Sequence, residues 1–149
     1  MTDIMTALRT FLLGQQAVTD MLNSDATKGP TLGIYVLALP AEELAVGAHK
    51  CIVLLASGGQ LGKMRRSITE ARIDVVCFGE TDFDAAALER PVAESLKNLS
   101  RQTYANVLLH GCTVSAGPFQ ARDPEIFWPA MRRQIILRAD EREVGYAAV

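Results

Sequence analysis

Two long β-like runs close this chain, and they constrain its fold more than any other feature. The first follows Asn106 as Val107-Leu-Leu-His-Gly-Cys-Thr-Val-Ser-Ala-Gly-Pro-Phe119, and the second is Met131-Arg-Arg-Gln-Ile-Ile-Leu-Arg-Ala-Asp140. Both are rich in residues that suit a pleated, half-buried surface. A turn-rich link holding Arg122-Asp123-Pro124 and Trp128-Pro129 joins them. The strands of this chain are expected to pair mostly antiparallel.

The preceding segments supply the rest of that sheet and its cover. Asp3 can cap a helix whose apolar stripe is Ile4, Met5, Leu8, Phe11 and Leu12. Gly14 fits a break, and Gln16 to Leu22 continues the helical spacing. Asn23 to Pro30 is a polar loop. Strands are expected over Leu32–Leu39, Lys50–Ala56 and Thr69–Gly79, with connecting loops at Ala41–Ala48 and Ser57–Ser67. In the third strand Ile73, Val75 and Cys77 share one face and Arg72 and Asp74 the other. Thr81 then caps a helix with Asp82 and Asp84 in its first turn, where the helix dipole favours acids. Leu88, Val92, Leu96 and Leu99 form its buried stripe, and Pro91 costs it a backbone bond or kinks it. The expected fold class is α+β. A mostly antiparallel sheet carries helices on one face, in the order α-β-β-β-α-β-β, as one domain with 141–149 as a tail or arm.

Composition narrows the function classes. The chain has 149 residues and a formal net charge of −2, and its pI of about 5.7 does not suggest a general nucleic-acid binder. No apolar run approaches the roughly 18 residues of a membrane span. The N-terminus lacks the basic region and cleavage site of a signal peptide, so synthesis in the cytosol is expected. There thiols stay reduced, and the three cysteines are expected to form no structural disulfide. The mean hydropathy of +0.14 is high for a small soluble monomer, which points to apolar surface covered by a partner.

Each candidate for chemistry has a plainer reading. Ser57-Gly-Gly-Gln-Leu-Gly-Lys63 follows a strand, as a phosphate loop does. Its first glycine lies one residue too close, and Met64 stands where the magnesium-binding hydroxyl belongs. His49-Lys-Cys51 and His110-Gly-Cys112 form two H-x-C pairs. On adjacent strands they could supply a tetrahedral zinc site, but zinc ligands normally sit on tight knuckles. Cys77 lacks the electropositive, exposed setting of a nucleophile. Asp82, Asp84, Glu89 and Glu94 read as capping and solvated groups. No catalytic residue, cofactor or metal site is assigned, and the chain is not expected to be an enzyme.

The telling segments are Ala71-Arg-Ile-Asp-Val-Val-Cys-Phe-Gly79, the helix from Asp82 to Leu99, Ser115-Ala-Gly-Pro118, Arg122-Asp-Pro124, and the closing strand with Arg133-Gln134. In their order and spacing, from about Leu8 to Val144, the chain resembles the tail terminator and tail completion proteins of long-tailed bacteriophages. That class includes minor tail protein U. The resemblance implies a virion protein at the head–tail interface, assembled in the host cytoplasm. Such proteins form a ring, commonly a hexamer, on the head-proximal end of the tail tube. The ring stops tube polymerisation and offers a surface to head-tail connector and neck proteins. DNA passes through its lumen without sequence-specific binding, and no membrane is involved.

A terminator must match one tube face, present a different face opposite, and close into a ring instead of propagating. The Ser57–Ser67 loop, with Lys63, Arg65 and Arg66, is the first candidate for contact with a neighbour or the tube. The turn from Arg122 through Asp123 to Trp128 is the second, because Trp and Arg are favoured at interfaces. The alternatives are a neck or head-closure component at the same junction, and a small metal- or nucleotide-binding enzyme.

Overall fold

In this computed structural model the described residues are 4–22, 33–36, 50–56, 68–79, 81–104, 107–122 and 129–140. They form helices α1 (Ile4–Leu13) and α2 (Gln16–Leu22), strands β1 (Ile34–Val36), β2 (Cys51–Ala56) and β3 (Ile68–Phe78), and helix α3 (Asp82–Lys97). Strands β4 (Gln102–Tyr104), β5 (Val107–Arg122) and β6 (Pro129–Asp140) follow. The strands make one mixed sheet in the order β1-β2-β3-β6-β5-β4. Only β1 and β2 pair parallel; every other neighbour is antiparallel.

The α+β class and the approximate element order therefore hold. Strand β4 is an addition to the expected order, and of the Leu32–Leu39 run only 33–36 are described, with Ile34–Val36 forming β1. The two closing strands are longer than expected, because Arg122 belongs to β5 and pairs with Pro129 instead of lying in the link. The Ser57–Ser67 loop, the 41–48 connection and the 141–149 segment lie outside the described residues.

The three helices of the described residues cover one face of the sheet. Ile4, Leu8, Phe11 and Leu12 of α1, Val18 and Leu22 of α2, and Leu88, Val92 and Leu96 of α3 join one apolar core. The sheet contributes Ile52, Leu54, Ile73, Val75, Cys77, Ile135 and Leu137. These are alternate residues of β2, β3 and β6, as the two-residue period of a strand requires. Phe11 meets Tyr104 edge to face at 5.5 Å, which docks α1 on β4. The other face carries a smaller buried cluster of Cys51, Val53, Val76, Phe78 and Ala130.

Local rules explain the helix ends. Gly14 donates to Thr10 and Phe11 carbonyls, which closes α1 before α2 starts. The Thr81 hydroxyl accepts from the Asp84 backbone N–H at 3.2 Å, the N-cap bond expected for that residue. Thr81→Ala should cost about 1 kcal/mol of unfolding free energy in urea titrations. A loss below about 0.3 kcal/mol would mean water replaces the cap without penalty. α3 continues through Pro91, which gives up one backbone bond at that position.

The outer edge of β1 is blunted. In a parallel ladder alternate residues turn their backbone groups away from the partner strand. Ile52 bonds the Gly33 carbonyl, so the Ile34 carbonyl points outward, where Arg9 Nε donates to it at 2.8 Å. β5 is irregular instead. Its register with β6 shifts between Leu109 and Gly111, between Val114 and Ala116, and between Ala116 and Phe119. Gly117 has φ +101°, and a Cβ there would lie 2.8 Å from the Arg132 carbonyl oxygen. Glycine is required both by that backbone angle and by the close approach of β6.

Candidate functional site

The segments that carry the sequence-predicted contact residues are flanked by strand ends at opposite ends of the sheet. Lys63, Arg65 and Arg66 lie outside the described residues, but the strands that flank their loop end at Ala56 and begin at Ile68. Asp123 and Trp128 also lie outside, and their flanking residues are Arg122 and Pro129. β3 runs from Ile68, opposite Asp140, to Phe78, opposite Ala130. The first loop therefore departs near the start of β3 and the second near its end.

The topology dismantles the H-x-C proposal. His49 lies outside the described residues, Cys51 is on β2, and Cys112 is on β5. β3 and β6 stand between those strands. Three strand spacings amount to about 14 Å, whereas zinc holds its ligands at roughly 2.0–2.3 Å. His110 is also a bulged residue, so the alternation that would place it beside Cys112 does not hold. Its buried Nε2 has no hydrogen-bond partner among the described residues. Among those residues no group of His, Cys, Asp and Glu is arranged to hold a metal.

The cysteines are placed as small core residues. Cys77 is fully buried on the helix face, and Cys51 is buried on the opposite face. Cys112 packs beside the main core, with β6 between it and Cys77. No two share a face on neighbouring strands, the geometry a bridge would need. Burial pushes the Cys77 thiol well up, and the Glu89 carboxylate pushes in the same direction. Burial raises the Cys112 thiol to about 11. Such thiols are poor nucleophiles.

A pH dependence follows. The folded Cys112 thiol has the raised value, so the unfolded chain releases its proton first. Its contribution to stability is intact below about 9 and is lost as pH rises towards about 11. In urea titrations across that window, wild-type stability should fall more steeply than that of Cys112→Ala. Parallel curves would show that this thiol is not shielded.

One carboxylate departs from its expected role. Glu89 is not a solvated group on the α3 surface. It is 6% exposed and pairs with Arg133 Nε of β6, itself nearly buried. Glu89 follows Leu88 on the α3 stripe and so turns into the sheet. Arg133 shares the helix face with Val75, its register partner. The opposite face carries looser, more exposed pairs: Arg138 with Glu70 at 3.1 Å and Arg132 with Asp74 at 3.7 Å. Asp82 and Asp84 do sit in the α3 first turn, as expected.

Sequence reasoning also missed two exposed aromatics. Phe83 is 87% exposed and Phe119 is 47% exposed. Phe83 interrupts the acidic first turn of α3, and Phe119 stands opposite Arg132 on the face away from the helices. Their exposure is visible only once the helix is docked and the register of β5 is known.

No protein-family model and no curated protein matches the chain. Its fold is similar to that of a chain in the virion of a native gene transfer agent particle. The similarity has a TM-score of 0.61 at 13% sequence identity and covers 92% of this chain and 94% of the other. At that identity the likeness concerns the fold.

Proposed function

We propose that this protein is a structural, non-enzymatic virion component that forms a ring on the head-proximal end of a phage-type tail tube. The ring ends tube polymerisation and presents the surface to which head-tail connector or neck proteins bind. The observation that carries this reading is the fold likeness, over nearly the whole of both chains, to a chain of a gene transfer agent virion. That likeness supports assembly with other virion proteins, and the order of motifs along the sequence supports the terminator role among them.

The architecture suits the task. A cap must bind a tube at one end and something different at the other. The strand ends that flank the basic loop holding Lys63, Arg65 and Arg66 and those that flank the link holding Asp123 and Trp128 lie at opposite ends of one sheet. The blunted β1 edge and the bulges along β5 discourage open-ended strand pairing.

The test is co-assembly with the cognate tail tube protein, read by negative-stain imaging of tube length. Wild-type protein should give tubes capped at one end that stop growing. Deletion of residues 57–67 should reduce capping at least tenfold while circular dichroism and the unfolding midpoint stay near wild type. Binding to filled heads and not to tubes would assign a neck component instead. A loop-deleted protein that caps normally would remove the loop from the contact.

A further inference from the structure

Phe83 and Phe119 are the large apolar side chains left well exposed among the described residues. One such residue on a surface is ordinary, but these two are related by position and by charge. Both lie at the Phe78 end of the sheet. Gly79 and Thr81 lead from Phe78 into the α3 turn that holds Phe83, while Phe119 sits opposite Arg132, two residues past Ala130. They project on opposite sides. Phe83 belongs to the helix layer. Arg133 turns towards Glu89 of α3, so Arg132 and its register partner Phe119 face the other way.

The charges around them are opposite. Phe83 lies between Asp82, which is exposed, and Asp84. Phe119 is the register partner of Arg132, whose side chain is 48% exposed and whose one ion pair among the described residues, to Asp74, is 3.7 Å long. A guanidinium with five N–H donors and a single loose partner retains donors for a second carboxylate.

We propose that the Phe83–Asp82 patch of one copy docks against the Phe119–Arg132 patch of a second copy, as the head-to-tail contact between neighbours in the ring. This rests on the ring reading above and specifies which surfaces meet. The occupant is another copy of this chain because the two patches complement each other, an apolar anchor on both sides and opposite charge around it. Like patches would set carboxylates against carboxylates or guanidinium against guanidinium, which disfavours a two-fold dimer. Two different surfaces on opposite sides of the sheet make a heterologous contact, the kind that generates closed rings.

Mixing two half-blocked variants tests this. Phe83→Ala removes one patch and Phe119→Ala the other, and native mass spectrometry reads assembly up to the millimolar range. Wild-type protein should form oligomers. Each variant alone should self-associate at least about tenfold more weakly. An equal mixture should yield heterodimers and nothing larger, because each chain keeps one intact patch. Circular dichroism checks folding, and Phe119→Gln replaces Phe119→Ala if the latter is unfolded.

Wild-type protein that stays monomeric throughout overturns the contact. So do variants that assemble normally, or mixtures that yield no heterodimer. The two proposals fail separately. Wild-type protein that forms this contact but never caps tubes defeats the terminator reading. Variants that both cap tubes like wild type defeat the contact alone.

Discussion

Glu89→Ala should lower the unfolding free energy by about 3–5 kcal/mol, the cost of breaking a buried ion pair from one side. Glu89 is among the few buried polar groups of the described core, and its carboxylate meets Arg133 Nε between α3 and β6. Removing the acid leaves a largely buried guanidinium beside its register partner Val75 without its carboxylate. Arg133→Met should cost a comparable amount by stranding the carboxylate. The double variant Glu89→Leu with Arg133→Met should recover most of the loss, because two apolar side chains remove both desolvation penalties at once. Urea titrations of the four proteins give the coupling energy. Single variants that cost less than about 1 kcal/mol would place the pair among solvent-screened contacts. The exposed Arg138–Glu70 pair is the internal comparison, with an expected coupling of at most about 1 kcal/mol.

Gly79→Ala should be nearly as damaging, at roughly 3 kcal/mol, for a steric reason. A Cβ at position 79 would lie 2.4 Å from the Ala85 backbone nitrogen, 2.7 Å from the Asp84 carbonyl carbon and 2.8 Å from Asp84 Cβ. Two of these atoms are backbone, so no side-chain rotation relieves the overlap. Gly79 also donates its N–H to the Pro129 carbonyl at 3.1 Å, which holds it against the start of β6. The α3 N-terminus would have to lift off the sheet, taking with it the packing of Ala85 and Leu88. A fall in melting temperature of roughly 10 °C is expected for a chain of this size. A fall below about 2 °C would show that α3 shifts without loss.

What was legible in the sequence was periodic. The α1 stripe, the alternation of β3 and the Leu88–Val92–Leu96 stripe of α3 all point inward as their spacing requires. Cap chemistry was legible too, because the Thr81 bond spans only three residues. Glu89 was not, because a carboxylate beside a buried leucine becomes a core group only if a cation reaches it. That cation is 44 positions away on a strand whose register had to be known. The three-residue β4 was too short to carry a period.

The sequence by itself determined the element types, the α+β class and the placement of Cys77 as a core residue, because these follow from local spacing and burial of apolar surface. Tertiary structure decided the strand order, and with it the separation of Cys51 from Cys112. It also decided the parallel β1–β2 pair, the buried Glu89–Arg133 contact, and the projection of Phe83 and Phe119 on opposite sides of the sheet. Each depends on which distant segments become neighbours. The energy that selects those neighbours is spread over the whole core and is written in no single stretch of the chain.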